Sequence, residues 1–205
     1  MKKTKYKGIF CIILLFLFCI TAFTPSAQAT DTFHSYFFKK TVKLSFKLNS
    51  AFSQLSKDGF SAACAKWNGA AGYSLLSKSS QNSTTTGTFP KNNGENTVYR
   101  YERGGYPPGQ SWAYRATDAA TGKEYVVEGD IVINISCPFA NSLNPPSGYY
   151  DTETVMLHEL GHILSLAHPS DSYRGDTVMM ASHAGTSKRN LTQIDIANVK
   201  TRLIP

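Results

Sequence analysis

The eleven residues 158–168, HELGHILSLAH, hold three of the five histidines in the chain and restrict its fold more than any other stretch. On an α-helix, residues four apart stand one above the other, so His158 and His162 point the same way. Both can then bring an imidazole nitrogen to about 2 Å from one zinc ion. Glu159 stands beside that position, where its carboxylate can take a proton from a water that the metal has made acidic. A catalytic zinc needs a third protein ligand and an open position. His168 lies six residues beyond His162, and a continuing helix would carry it roughly 240° further round, facing away. The chain must therefore leave the helix near residue 165 and turn back. Ser165 stands at that bend, and if the bend is left-handed, serine costs about 1–2 kcal/mol more than glycine.

Other ligand sets can be tested on the residues themselves. No glutamate follows Glu159, which excludes a site completed by a later glutamate. Asp171, Asp176 and Asp195 are available downstream, but only His168 sits at a recognised spacing. The bland alternative is a solvated helix with histidines on its polar face. It has to treat as coincidence an H-E-x-x-H pattern followed by a third histidine in a helical context.

Ahead of the site, the lysine-rich MKKTKYKG leads into an apolar run at 9–23 and then to Ser26-Ala27-Gln28-Ala29, whose small residues suit signal-peptide cleavage after Ala29. That run is shorter than the roughly 20 residues a spanning helix needs. The expectation is a secreted, extracellular protein with no stable membrane insertion after cleavage. Residues 30–205 then form a single catalytic domain with one hydrophobic core, expected to be monomeric. Four lysines leave with the signal, so the formal charge falls from +7 to +3, with 17 basic residues against 14 acidic. Mild basicity without an arginine-rich block makes no case for nucleic acid. Of four cysteines, Cys64 and Cys137 remain, an even pair that can form one disulfide in an oxidising compartment. No cluster of aspartates and glycines announces a calcium loop, so none is assigned.

Hydrophobic period supplies the frame. At 41–48, TVKLSFKL alternates, with Val42, Leu44, Phe46 and Leu48 on one face, and predicts a half-buried strand. Ser50 can cap a helix running to about Lys66, with Phe52, Leu55, Ala63 and the following Trp67 facing a sheet and Gly59 weakening its middle. GYSLLSK reads as a short strand and the polar run after it as a loop. TVYRYERG, SWAYRATD and KEYVVEG read as strands divided by turn signals, and GDIVINIS as a further, buried strand. Asp151 caps the helix that carries the histidines, with Glu153 in its first turn. Thr192-Gln193-Ile194-Asp195 opens a last helix with a capping box, striped by Ile196, Val199 and Leu203.

These residues resemble the metzincin zinc metallopeptidases, whose signature is H-E-x-x-H-x-x-G-x-x-H followed by a methionine-containing turn. Here HELGHILSLAH is similar to the first part and Val178-Met179 in DTVMMAS to the second. The order of elements is closest to the matrixin-like branch. The resemblance implies an α/β (α+β) domain with a twisted mixed sheet, an active-site helix and a small C-terminal lobe. It implies His158, His162 and His168 as zinc ligands, Glu159 as general base and Met179 as the turn methionine. It also implies that the 181–186 segment, with Ala181, Ser182 and His183, walls the pocket beyond the cleaved bond. The chain departs from the pattern at Ser165, at Pro169, which resembles the serralysin branch, and at Ala181, where other branches place a tyrosine ligand. No cysteine-switch motif precedes the first strand. The implied activity is zinc-dependent endopeptidase action on a polypeptide lying along a sheet edge. The competing reading is a secreted binding or adhesion protein that keeps this fold without hydrolysis, suggested by Ser165 and by the aromatics of FHSYFF and GYPPGQSWAY.

Overall fold

Alternation at 41–48 becomes a strand, as its period requires, within a computed structural model that describes residues 33–84, 90–170 and 175–205. The expected signal peptide at 1–29 and Asp171 lie outside those residues. In chain order the elements are β1 (Phe38–Lys39), β2 (Leu44–Asn49), α1 (Gln54–Ala71), β3 (Leu76–Ser83), β4 (Asn96–Tyr101), β5 (Gly109–Thr117) and β6 (Glu124–Asn134). They continue with β7 (Phe139–Ala140), β8 (Tyr150–Asp151), α2 (Thr152–Ile163), α3 (Gln193–Thr201) and β9 (Leu203–Ile204). The main sheet runs β3-β2-β4-β6-β5, parallel except for β5, which pairs antiparallel with β6 and forms an edge. Two-stranded pairs join β1 to β9 and β7 to β8. This is the expected mixed α/β architecture.

Leu44, Phe46 and Leu48 face a core that also takes Phe60, Ala63 and Trp67 from α1 and Met156, Leu157 and Leu160 from α2. The Trp67 indole donates to Leu157 O at 2.8 Å, tying α1 to α2 through a buried bond. Several expectations shift. Ser53, not Ser50, caps α1, accepting from Ser56 N, and the helix runs on to Gly72, whose φ of 76° ends it. Leu55 is 63% exposed and faces away from the sheet. The start of the polar run is not a loop but the edge strand β3, which needs only main-chain bonds to β2 and leaves most of its side chains in water.

KEYVVEG and GDIVINIS form one continuous strand, β6. Gly129 in its middle serves packing, since a Cβ there would lie 3.0 Å from Ile163 Cδ1. The expected disulfide is not formed. Cys64 is buried in α1 and Cys137 is partly exposed beyond β6, each as a free thiol.

Candidate metal centre and cleft

Helix α2 begins as its cap residues dictate: Asp151 Oδ2 accepts from Thr154 N at 3.0 Å. Arg189 grips the same carboxylate through Nε at 2.8 Å and Nη2 at 2.6 Å and also reaches Glu153 at 3.1 Å. Eleven of its twelve residues are buried, so the helix is core as well as site. It ends at Leu164, and Ser165 follows with φ 74°, the only non-glycine residue with positive φ among those described. The bend required by the spacing of His162 and His168 is therefore present, and it is left-handed and falls on the serine.

That bend brings three Nε2 atoms together. His158 and His168 lie 2.9 Å apart, His158 and His162 3.1 Å, and His162 and His168 3.2 Å. Three nitrogens bound tetrahedrally at about 2 Å from one zinc stand roughly 3.3 Å apart, so the donor set fits. The other ring nitrogens agree with this. His158 Nδ1 donates to Val178 O and His162 Nδ1 to Leu166 O, each at 2.8 Å, which leaves the Nε2 lone pairs facing one another. Burial pushes His158 down to about 4 and His162 to about 3, and lowers His168 as well, so all three rings are neutral donors near pH 7. Among the described residues this is the one histidine, cysteine and carboxylate cluster able to hold a metal.

Glu159 is 4% exposed beside the cluster. Burial pushes its carboxyl up to about 8, opposed by a hydrogen bond from Ser111 on β5. Gly109 at the start of β5 makes the room, because a Cβ there would meet Glu159 Oε1 at 2.6 Å and Cγ at 2.8 Å. Neither Ser111 nor Gly109 is announced by the sequence, since both act on Glu159 across about 50 residues of chain.

Beneath the histidines, Met179 is 3% exposed and packs against Gly161, where a Cβ would strike Met179 Sδ and lie 3.1 Å from Trp67 Cζ2. The turn around it is held by Asp195 of α3. Val178 N donates to Asp195 Oδ2 at 3.2 Å, Thr177 Oγ1 donates to Oδ1, and Oδ2 also accepts from Thr192 N at 2.8 Å in the expected capping box. Asp195 thus reaches His158 through Val178, which donates to it with N–H and accepts from His158 with C=O.

The histidines and Glu159 open into a cleft of about 800 Å³. Its lining also takes in Pro107, Pro108, Ala181 and Ser182, together with His34, Tyr36, Ala113 and Arg115. His183, expected on the pocket wall, is exposed and is not among the residues that line the cleft; its carbonyl accepts from Thr186 Oγ1. The aromatics of FHSYFF are not a surface patch either. Tyr36 is 8% exposed and Phe38 fully buried.

The family model for the matrixins, Peptidase_M10, matches residues 34–202. Among solved structures, one similar chain is High choriolytic enzyme 1, a hatching enzyme zinc-protease from the medaka Oryzias latipes. It is 13% identical, with a TM-score of 0.40, over 80% of this chain and 92% of that one. No curated protein sequence matches the chain.

Proposed function

Because the chain belongs to the matrixin family of zinc metalloendopeptidases, we propose that it is exported and that His158, His162 and His168 hold one zinc ion, with Glu159 as general base. The observation that carries this reading is the convergence of three Nε2 atoms within 3.2 Å of one another, with a buried carboxylate next to them in one cleft. A zinc ion there would supply a Lewis acid that polarises a carbonyl and lowers the pKa of water. Kept ionised by the cation that the three histidines would hold, Glu159 accepts a proton from the attacking water as the new C–O bond forms. It passes that proton to the amide nitrogen as the C–N bond breaks, leaving a carboxylate and an amine. Ser111 and Gly109 keep the base seated through both transfers.

The substrate lies extended along β5, whose outer edge has no strand partner among the described residues. Ala181 and Ser182 wall the cleft where the side chain beyond the cleaved bond enters. Export is supported by the signal-like opening residues, and no described helix is long and apolar enough to cross a membrane. Glu159→Ala should keep about one zinc per chain and lose cleavage across a peptide mixture; undiminished cleavage sinks the mechanism. The binding-protein reading loses part of its support with the burial of Tyr36 and Phe38 and keeps the exposed Tyr106 of the second aromatic segment. It would return only if purified protein cleaved nothing in the presence of zinc.

A further inference from the structure

The segment at 33–37 lies outside every regular element, yet it is bonded closely to the turn that separates the second histidine from the third. His34 N donates to Ser165 O at 3.1 Å, and the Ser165 hydroxyl donates back to Tyr36 O. The Tyr36 hydroxyl donates to His162 O at 3.0 Å, and Phe33 bridges to Leu166. The Tyr36 ring stacks on His34 at 5.1 Å, and His34 stands edge-on to His162 at 5.6 Å. From the far end of the chain, Arg202 donates to His34 O at 2.8 Å, to Tyr36 O, and through Nε to Ser165 Oγ at 3.3 Å. Its guanidinium also lies 4.0 Å from the Phe37 ring centroid.

The turn needs such support. After Ile163 the helix ends, so His168 is placed by the four residues 164–167, one of them in a backbone conformation that serine disfavours. His168 itself is exposed and has little packing to hold it.

We propose that Tyr36 is a positioning residue of the metal centre: with Ser165 and Arg202 it locks the left-handed turn, so that metal retention depends on the 33–37 strap. The inference rests on the metallopeptidase reading, since it concerns the ion that reading assigns. The strap touches His162 through its main chain and His168 through the turn, so its loss loosens the separation of the three nitrogens rather than removing any one of them. Groups that orient ligands commonly change metal affinity by 10–100-fold when lost.

The test uses Tyr36→Phe, which keeps the ring and its stacking and removes one donor. Zinc affinity is read by competition with a chelating dye, ligand geometry by the visible spectrum of the cobalt-loaded protein, and apo-protein stability by thermal unfolding. The expected result is about tenfold weaker zinc binding and a changed cobalt spectrum. Leu48→Ala, a core truncation in β2, should lower apo stability at least as much and leave affinity and spectrum unchanged. Ser165→Ala cuts the same network from the turn side and should give a similar loss that adds little in the double variant. Wild-type affinity and spectrum in Tyr36→Phe, or full additivity in the double variant, overturns the proposal while leaving the peptidase reading in place. A wild-type protein that binds no metal overturns both.

Discussion

Replacing Gly161 by alanine tests how the helix that bears His158 and His162 is fitted to the turn beneath it. In an unobstructed helix interior, glycine to alanine is stabilising by about 0.8–1 kcal/mol. Gly69 in α1 is such a position, exposed and with nothing within 4 Å of an added Cβ. At Gly161 the same methyl meets Met179 Sδ well inside contact distance and Trp67 Cζ2 at 3.1 Å. Met179 is 3% exposed and Trp67 fully buried, so neither has free volume to move into. Overpacking of this kind costs about 1–3 kcal/mol, and a contact this short falls at the upper end. Gly69→Ala should therefore gain about 1 kcal/mol, while Gly161→Ala loses about 2 after its helix propensity is counted. For a domain of this size each kcal/mol is about 2–4 °C in Tm, so the two variants should separate by several degrees with opposite signs. Thermal unfolding of both beside the wild type is the assay. A Gly161→Ala variant at or above the wild-type Tm would mean that Met179 swings aside freely and that the turn is not clamped.

Three further outcomes are expected. Gly109→Ala drives a methyl into the Glu159 carboxylate and should lower kcat/KM on the order of 10²-fold at unchanged zinc content, since small misplacements of reacting groups cost that much; a wild-type rate would refute it. Ser165→Ala keeps the left-handed backbone and loses the hydroxyl bond to Tyr36 O, costing about 1–2 kcal/mol, whereas Ser165→Gly recovers a similar amount from the backbone and should be near neutral. Denaturant midpoints that rank alanine level with glycine would contradict this.

For Asp151, burial pushes the carboxyl up, but the bonds from Arg189 and Thr154 outweigh it and hold the group below its usual value. The stability it confers is present above about pH 4 and is lost as pH falls through its folded value. Arg189→Gln should cost about 3 kcal/mol at neutral pH, with a gap to wild type that narrows in acid; a gap constant with pH would refute the assignment.

What could be read from residues alone was whatever rests on neighbours in sequence. Asp151 as a cap, the His158–His162 pair, the capping box at Thr192 and the bend at Ser165 all follow from spacings of three to six residues, and each is found. The polar second half of strand β3 escaped because an edge strand is held by main-chain bonds, which polar side chains neither reveal nor forbid. Strand β6 was divided because Gly129 resembles punctuation in a sequence, while in the fold it makes way for Ile163. The parts that seat the site, Gly109 and Ser111 under Glu159, Asp195 under Val178 and Tyr36 behind His162, act between segments far apart in the chain. No local pattern encodes those partnerships.

The parallel pairing of β1 with β9, Phe38 with Leu203 and Lys39 with Ile204, joins the first described strand to the last. Leu203 and Ile204 follow every residue of the site, so a ribosome delivers them after all three histidines and Glu159. Asp195 and Arg202 are made only shortly before them, so for most of synthesis neither the carboxylate that steadies the turn beneath His158 nor the guanidinium that reaches Tyr36 exists. A growing chain thus carries the three histidines and Glu159 before it carries the segments that frame them.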